Sequence, residues 1–239
     1  MRDTIMLVAL VAVLPTAYLV VPYAVKVFLR LRLSHIASRS GCKFLTFDDG
    51  PDPLSTPRIL DILDEFGVNA TFFVVGQRAE EYPSIVQSII SRGHEIGEHG
   101  YAHLHPWMSW PGKYARELMR SGRAIGNFVS HRTHVVFRPP YGKLNLFTLI
   151  YVLFTRRRIA FWDIDPRDYE NADAKSIADD ILKSLDSGSV VLLHDGRIDP
   201  GTNGSDLTVQ ALKLVIGQVA PGMRFRTLGA LWKKPAKKP

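Results

Sequence analysis

Lys43-Phe44-Leu45-Thr46-Phe47-Asp48-Asp49-Gly50-Pro51 is the stretch on which the fold turns. Phe44 to Phe47 favour a pleated, buried surface and run straight into two carboxylates and a Gly-Pro turn, so a strand over 43–47 ends in chemistry. Short β-branched and aromatic runs recur near 70–75, 94–98, 134–138, 159–163, 189–193 and 224–227. Helix-period stretches fit 56–66, 77–92, 113–128, 174–186 and 206–218 between them. The first has Thr56 as N-cap, Pro57 at the first helical position, Ile59, Leu60, Ile62 and Leu63 on one stripe, and Gly67 as its stop. Seven strands alternating with helices predict a parallel α/β sheet, and polar clusters after several strands predict a barrel with its functional mouth at the strands' carboxyl ends.

Two adjacent carboxylates at a strand end diverge, so one of Asp48 and Asp49 can bind a cation while the other moves a proton. The second cluster is Gly93-His94-Glu95-Ile96-Gly97-Glu98-His99-Gly100-Tyr101-Ala102-His103-Leu104-His105. His99 and His103, four apart beyond a strand, can turn both imidazoles to one point, and with Asp49 they make a two-histidine, one-carboxylate set that leaves room for water and substrate. His94 and His105 read as surface or supporting residues. Three more clusters each follow a strand: Arg138-Pro139-Pro140-Tyr141-Gly142, Asp163-Ile164-Asp165-Pro166-Arg167-Asp168-Tyr169 and Leu192-Leu193-His194-Asp195.

Five polar clusters in this order resemble the polysaccharide deacetylase family, the NodB-homology group known as carbohydrate esterase family four, over roughly residues 43–230. The resemblance implies a distorted, seven-stranded β/α barrel and metal-dependent hydrolysis of an N-acyl group, N-acetyl above all, from an amino sugar of a glycan. It implies Asp48 as general base and His194 as general acid. Asp49, His99 and His103 would be the ligands of a divalent metal, zinc first, with cobalt or nickel as alternatives. It further implies Arg138 as the partner of the catalytic carboxylate, Asp168 as the orienter of His194, Tyr141 at the oxyanion through its backbone N–H, and Leu192 in the acyl-methyl pocket. Tyr169 stands where the family commonly has Trp, and Glu98 where it often has Asn, which alters the groove wall and the surroundings of the ligands. The chemistry is coherent without the family: an amide resists water, so a cation must polarise its carbonyl, a base must take a proton, and the amine must be protonated to leave. A non-haem iron oxygenase would use the same three ligands but leave Asp48 and His194 without a task. An inactive glycan-binding descendant would have no reason to keep base, acid and ligands together.

Composition limits the rest. The chain has 239 residues, 46% hydrophobic and 22% charged, the profile of one globular domain with an appendage rather than of a disordered or collagen-like chain. Its single cysteine, Cys42, excludes an intrachain disulfide and a thiolate metal cluster. Of the net charge of +7, residues 1–43 carry +5 and the lysines at 233, 234, 237 and 238 carry +4, which leaves −2 on 44–232. No basic face for nucleic acid can be drawn from that middle, and the charged ends suit an anionic membrane surface.

The 22 residues from Thr4 to Val25 are uncharged and as a helix would extend about 33 Å, enough for a bilayer core. They read as a transmembrane anchor; a cleaved signal peptide would be shorter and would end in a small-x-small site, and a core helix would not carry Pro15 and Pro22. The expected organisation is an anchor and basic flank over 1–32, a catalytic domain over 43–230 and a basic tail over 231–239, in a single-pass monomer. Lys26, Arg30, Arg32 and Arg39 after the span place the domain in the cytoplasm by the positive-inside rule, whereas use on wall glycans places it outside, and the reading leans outside. A lipid-linked amino sugar deacylated or deformylated at the membrane is the alternative substrate. Leu146 to Phe154 is apolar on nearly every face and precedes Arg156, Arg157 and Arg158, so it is either a covered helix or a membrane-facing patch.

Overall fold

The computed structural model describes residues 18, 20–129, 135–170, 173–196, 204–219 and 223–232. Six parallel strands form one sheet: β1 Phe44–Asp48, β2 Thr71–Val74, β3 Glu95–Glu98, β4 Val136–Phe137, β5 Arg158–Ile159 and β6 Val190–His194, in the order β5-β4-β3-β2-β1-β6. All five residues of β1 are buried, as both faces of a covered parallel sheet require. Asp48 is in register with His194 and Val74 with Glu98, so the polar strand ends meet on one rim. Beyond β5 the chain bends across to β6, where the N–H of Asp163 donates to Val190 O at 2.9 Å and that of Leu192 to Ile164 O at 2.9 Å. The two sheet edges are thereby joined by a single bridge rather than by a strand.

The expected seventh strand at 224–227 is the clearest correction. Phe225 forms only an isolated bridge with Lys43. The next N–H groups are taken by side chains of the sheet, Leu228 N donating to Thr71 Oγ1 and Gly229 N to Glu95 Oε2, and the backbone closes into a 3-10 turn over Leu228–Trp232 instead of extending. The helix expected over 77–92 is two, because Pro83 excludes the helical region for Tyr82, which sits at φ −123° and ψ 56°. Thr56 is not a cap: helix α2, Thr56–Glu65, begins on it and its hydroxyl donates to Asp195 Oδ2 at 2.6 Å.

Helix α1, Val21–Ser38, includes Lys26, Arg30 and Arg32, and docks its second half on the barrel through Leu33 and Ala37. The other helices are α3 Gly76–Glu81, α4 Pro83–Ser91, α5 Pro111–Gly126, α6 Leu146–Thr155, α7 Ala174–Ser184 and α8 Gly204–Gln218. Most of the expected span, residues 4–17 and 19, and the basic tail from 233 onward lie outside the described residues. Among those described, no helix is long and apolar enough to cross a membrane. The main core joins β1, β2 and β6 to α2, α4, α7 and α8. Helix α6 buries Thr148 but exposes Leu153 and Phe154 by 75% and 79%, so neither of its two outermost apolar side chains is covered by the described residues.

Candidate active site

Asp49 follows β1 in the left-handed region, φ 74°. His99, just past β3, and His103, itself at φ 52°, converge on it, each with Nε2 3.4 Å from Asp49 Oδ1. His99 Nδ1 donates to the carbonyl of Arg138 at 2.8 Å, which fixes the ring and turns Nε2 to the centre. Among the described residues Asp49 Oδ1 and His103 Nδ1 are buried without a hydrogen-bond partner, and one ligand atom from each of Asp49, His99 and His103 falls within 4.8 Å of the others. Burial lowers the His103 pKa to about 3, so that ring is neutral, the form a metal needs. Burial opposes the charge of Asp49, but the imidazoles of His99, His103 and His194 prevail and hold its carboxyl down to about 2. Neutral imidazole, ionised carboxylate and orphaned buried atoms together fit a divalent cation such as zinc.

Asp48 divides its two oxygens, and Oδ2 lies 3.6 Å from His99 Nε2. Its Oδ1 accepts from Arg138 Nη1 at 2.7 Å, and Arg138 is wholly buried, donating also to Thr46 Oγ1 at 2.8 Å and to Phe161 O at 3.2 Å while stacking over Phe73. A buried guanidinium with these partners fixes where the carboxylate points.

His194, at the end of β6, is gripped twice by Asp168: its N–H donates to Oδ2 at 2.8 Å and its Nδ1 to Oδ1 at 2.7 Å. Thr208 on α8 adds a bond from Oγ1 to Oδ2 at 2.6 Å. Burial works against a charged ring, yet the Asp168 carboxylate outweighs it and the His194 pKa is pushed up to about 10. Tyr169 packs edge-on against the same ring, 5.0 Å between centroids.

A cavity of about 430 Å³ opens over these groups. Leu192, buried in β6, is part of its lining, and Tyr141, Tyr169, Trp162, His105 and Lys143 form its wall and rim. Tyr141 takes φ 56° in the turn after β4, its ring 4.5 Å from His103 and 4.8 Å from His105. Gly142 has φ 59°, and a Cβ there would lie 2.6 Å from Trp162 Cη2.

Of the residues proposed from sequence, Asp48, Asp49, His99, His103, Tyr141, Tyr169, Leu192 and His194 line the cavity, while Arg138 and Asp168 stand buried behind Asp48 and His194; several supports were not legible as such. Asp195, quoted only as the neighbour of His194, staples the Asp48-Asp49 turn: its N–H donates to Asp48 O at 3.1 Å, its carboxylate accepts from Gly50 N at 3.1 Å and from Thr56, and burial pushes its pKa up to about 7. A buried Asp beside a strand-end His is the only sequence trace of it. Trp162 and Thr208 carry no local signal. His94 is neither surface nor near the site: it is buried at the opposite end of β3, where Nδ1 accepts from Ala70 N at 3.3 Å.

Comparison with known proteins places this arrangement. A family model described as "Polysaccharide deacetylase" matches residues 36–152. A peptidoglycan-N-acetylglucosamine deacetylase of Bacillus cereus is 35% identical over 190 residues, covering 78% of this chain and 86% of the relative. A chitooligosaccharide deacetylase of Sinorhizobium fredii is 36% identical over 180 residues, covering 72% and 83%. Among solved structures, that of a peptidoglycan N-acetylglucosamine deacetylase in complex with 4-naphthalen-1-yl-N-oxidanyl-benzamide superposes with a TM-score of 0.72 at 33% identity, covering 80% of this chain and 87% of that one.

Proposed function

Because the chain belongs to the polysaccharide deacetylase family, we propose that it is a metal-dependent hydrolase that removes N-acetyl groups from amino sugars of a glycan. The observation that carries this reading is that two proton-transfer groups, Asp48 and His194, line the same cavity as the Asp49, His99 and His103 cluster.

Asp49, His99 and His103 would hold the ion, zinc first by its preference for imidazole and carboxylate. The ion supplies polarisation of the acyl carbonyl and acidification of water. Asp48, fixed by Arg138, takes a proton from the attacking water; His194, kept charged by Asp168, gives one to the departing amine, so the amide bond breaks with its protons accounted for. Leu192 offers the methyl of the acyl group an apolar wall, and Tyr141 and Tyr169 give the sugar aromatic faces. The turn that contains Tyr141 would present its N–H to the developing oxyanion, an interaction worth about 3 kcal/mol per donor.

For location, the reading is a single-pass anchor over Thr4 to Val25 with the catalytic domain outside the membrane it anchors to. The uncharged length of that segment and the exposed Leu153 and Phe154 support membrane attachment. Amine release from chitooligosaccharides and from peptidoglycan by the purified chain, with and without chelator and added zinc, tests the function. Turnover that needs zinc supports it, and full turnover in metal-free protein overturns the metal-dependent part.

A further inference from the structure

Helices α5 and α6 leave a groove of about 510 Å³ between them, and it shares no lining residue with the catalytic cavity. That volume falls in the range of small-ligand sites, about 300–1,000 Å³. Leu118 and Met119 of α5 and Phe147, Ile150 and Phe154 of α6 make its walls apolar, and Met119, Ile150 and Phe154 are exposed. Its polar groups are already engaged, with one exception. The Tyr151 hydroxyl donates to Glu98 Oε1 at 2.7 Å, Arg157 pairs with the other oxygen of that buried carboxylate, and Thr155 Oγ1 donates to the carbonyl of Tyr151. The exception is Arg123, exposed on α5: among the described residues its guanidinium has no ion pair or hydrogen bond.

A sugar would leave most of its hydroxyls unpaired against such walls, whereas a ligand with a long apolar part and one anionic group meets both kinds of surface. The N-terminal segment says where such a ligand comes from. Tyr18 packs its ring edge-on against Phe147, 6.3 Å between centroids, and its hydroxyl accepts from Asn145 Nδ2 at 3.1 Å. The uncharged stretch that begins at Thr4 therefore reaches the domain against one wall of the groove. An anchor that joins the domain at Phe147 brings the groove to the bilayer surface, where acyl chains and anionic headgroups are both within reach.

We propose that the groove between α5 and α6 is a lipid site: one acyl chain of an anionic membrane lipid lies along Leu118, Met119, Phe147 and Ile150, and its headgroup meets Arg123. The lipid is a ligand and not a substrate, held away from the catalytic cavity, and it ties the domain to the bilayer at a second point besides the anchor. The site goes beyond the deacetylase reading and draws on the anchor reading only for where the bilayer lies.

The test uses the full chain in dodecyl maltoside micelles doped with phosphatidylglycerol that bears a diazirine midway along one acyl chain. After irradiation the labelled residues are mapped by peptide mass spectrometry. Labels should fall on Ala115, Gly122 and Tyr151, half-buried residues that line the groove, as well as within the anchor over 4–25. Phosphatidylcholine with the same diazirine should label the groove about fivefold less, and Arg123→Gln should remove that difference. Ile150→Trp, which fills the groove from an exposed position, should cut groove labelling severalfold and leave that of 4–25 unchanged; Met119→Trp, from the opposite wall, repeats the test if the first variant does not fold. Labels in the groove but not in 4–25 leave the lipid site standing and sink the anchor. Labels confined to 4–25, or to Leu153 outside the groove, overturn the lipid site and spare the anchor. Equal labelling by the two lipids, or groove labelling untouched by the tryptophan variants, also overturns it. Amine release is not the readout, so an inactive chain can pass and an active one can fail.

Discussion

Asp48 and Asp49 are consecutive and both approach His99, yet their closest partners differ: Oδ1 of Asp48 accepts from Arg138 at 2.7 Å and its Oδ2 stands 3.6 Å from His99 Nε2, whereas Oδ1 of Asp49 lies 3.4 Å from the Nε2 atoms of both His99 and His103. Asp49 itself sits in the left-handed region, φ 74°. Asp48→Asn should therefore retain zinc, measured by metal analysis, and lose about 10²- to 10⁴-fold in kcat through the missing base. Asp49→Asn should lose zinc first and activity as a consequence. An Asp48→Asn protein that is metal-free while Asp49→Asn stays loaded would show the two roles reversed.

The His194 pair predicts a pH response. The folded pKa, about 10, lies above the ordinary 6.5, so the pair's contribution to stability is fully present below about 6.5 and is lost as pH rises through about 10. Melting temperature should fall over that window in the native chain and fall less in Asp168→Asn. The same substitution should bring the alkaline limb of kcat down in pH and lower kcat itself by roughly 10²-fold or more. An alkaline limb left in place by Asp168→Asn would show that His194 is not the group that limits it.

What the sequence disclosed about this site and what it hid have a common physical origin. Asp48, His99, Arg138 and His194 stand directly at or after strands whose apolar runs are unmistakable, so a parallel sheet gathers them on one rim whatever the loops do. Thr208 reaches Asp168 across 40 residues, and Thr56 reaches Asp195 across 139; locally Thr208 reads as a plain helix threonine and Thr56 as an N-cap, and neither marks its distant partner. Residues 224–227 have the composition of a seventh strand, but their successors' N–H groups are claimed by Thr71 and Glu95, a contest that only the folded chain decides. Pro83, by contrast, announced the break in 77–92, and the uninterrupted apolar pattern around it obscured the signal.

Gly142 holds the rim in shape. Alanine there would have to accept φ 59°, at about 1–2 kcal/mol, and would push its Cβ toward Trp162 from 2.6 Å. Gly142→Ala should lower the melting temperature by several degrees and raise KM through a displaced Trp162 and Tyr141, with zinc content unchanged. Unaltered KM together with a lowered melting temperature would confine the role of Gly142 to folding.

The last prediction separates a covered helix from a membrane face. Helix α6 has no charged residue between Leu146 and Thr155, and its Leu153 and Phe154 stand 75% and 79% exposed beside Arg156, whose side chain is exposed as well. Burying two such side chains in lipid is worth about 1.5–3 kcal/mol each, and a basic side chain at the headgroup level adds about 1 kcal/mol. Being exposed in the protein, they contribute little to its fold, so Leu153→Glu with Phe154→Glu should leave the melting temperature nearly unchanged. With residues 1–32 removed from both chains, so that the anchor does not mask the effect, the double variant should bind vesicles containing phosphatidylglycerol about tenfold or more weakly than its parent in a flotation assay at low salt. If the helix is instead covered by residues 1–17 or 233–239, the two glutamates should lower the melting temperature markedly and leave vesicle binding where it was, and the membrane reading of this face would fall.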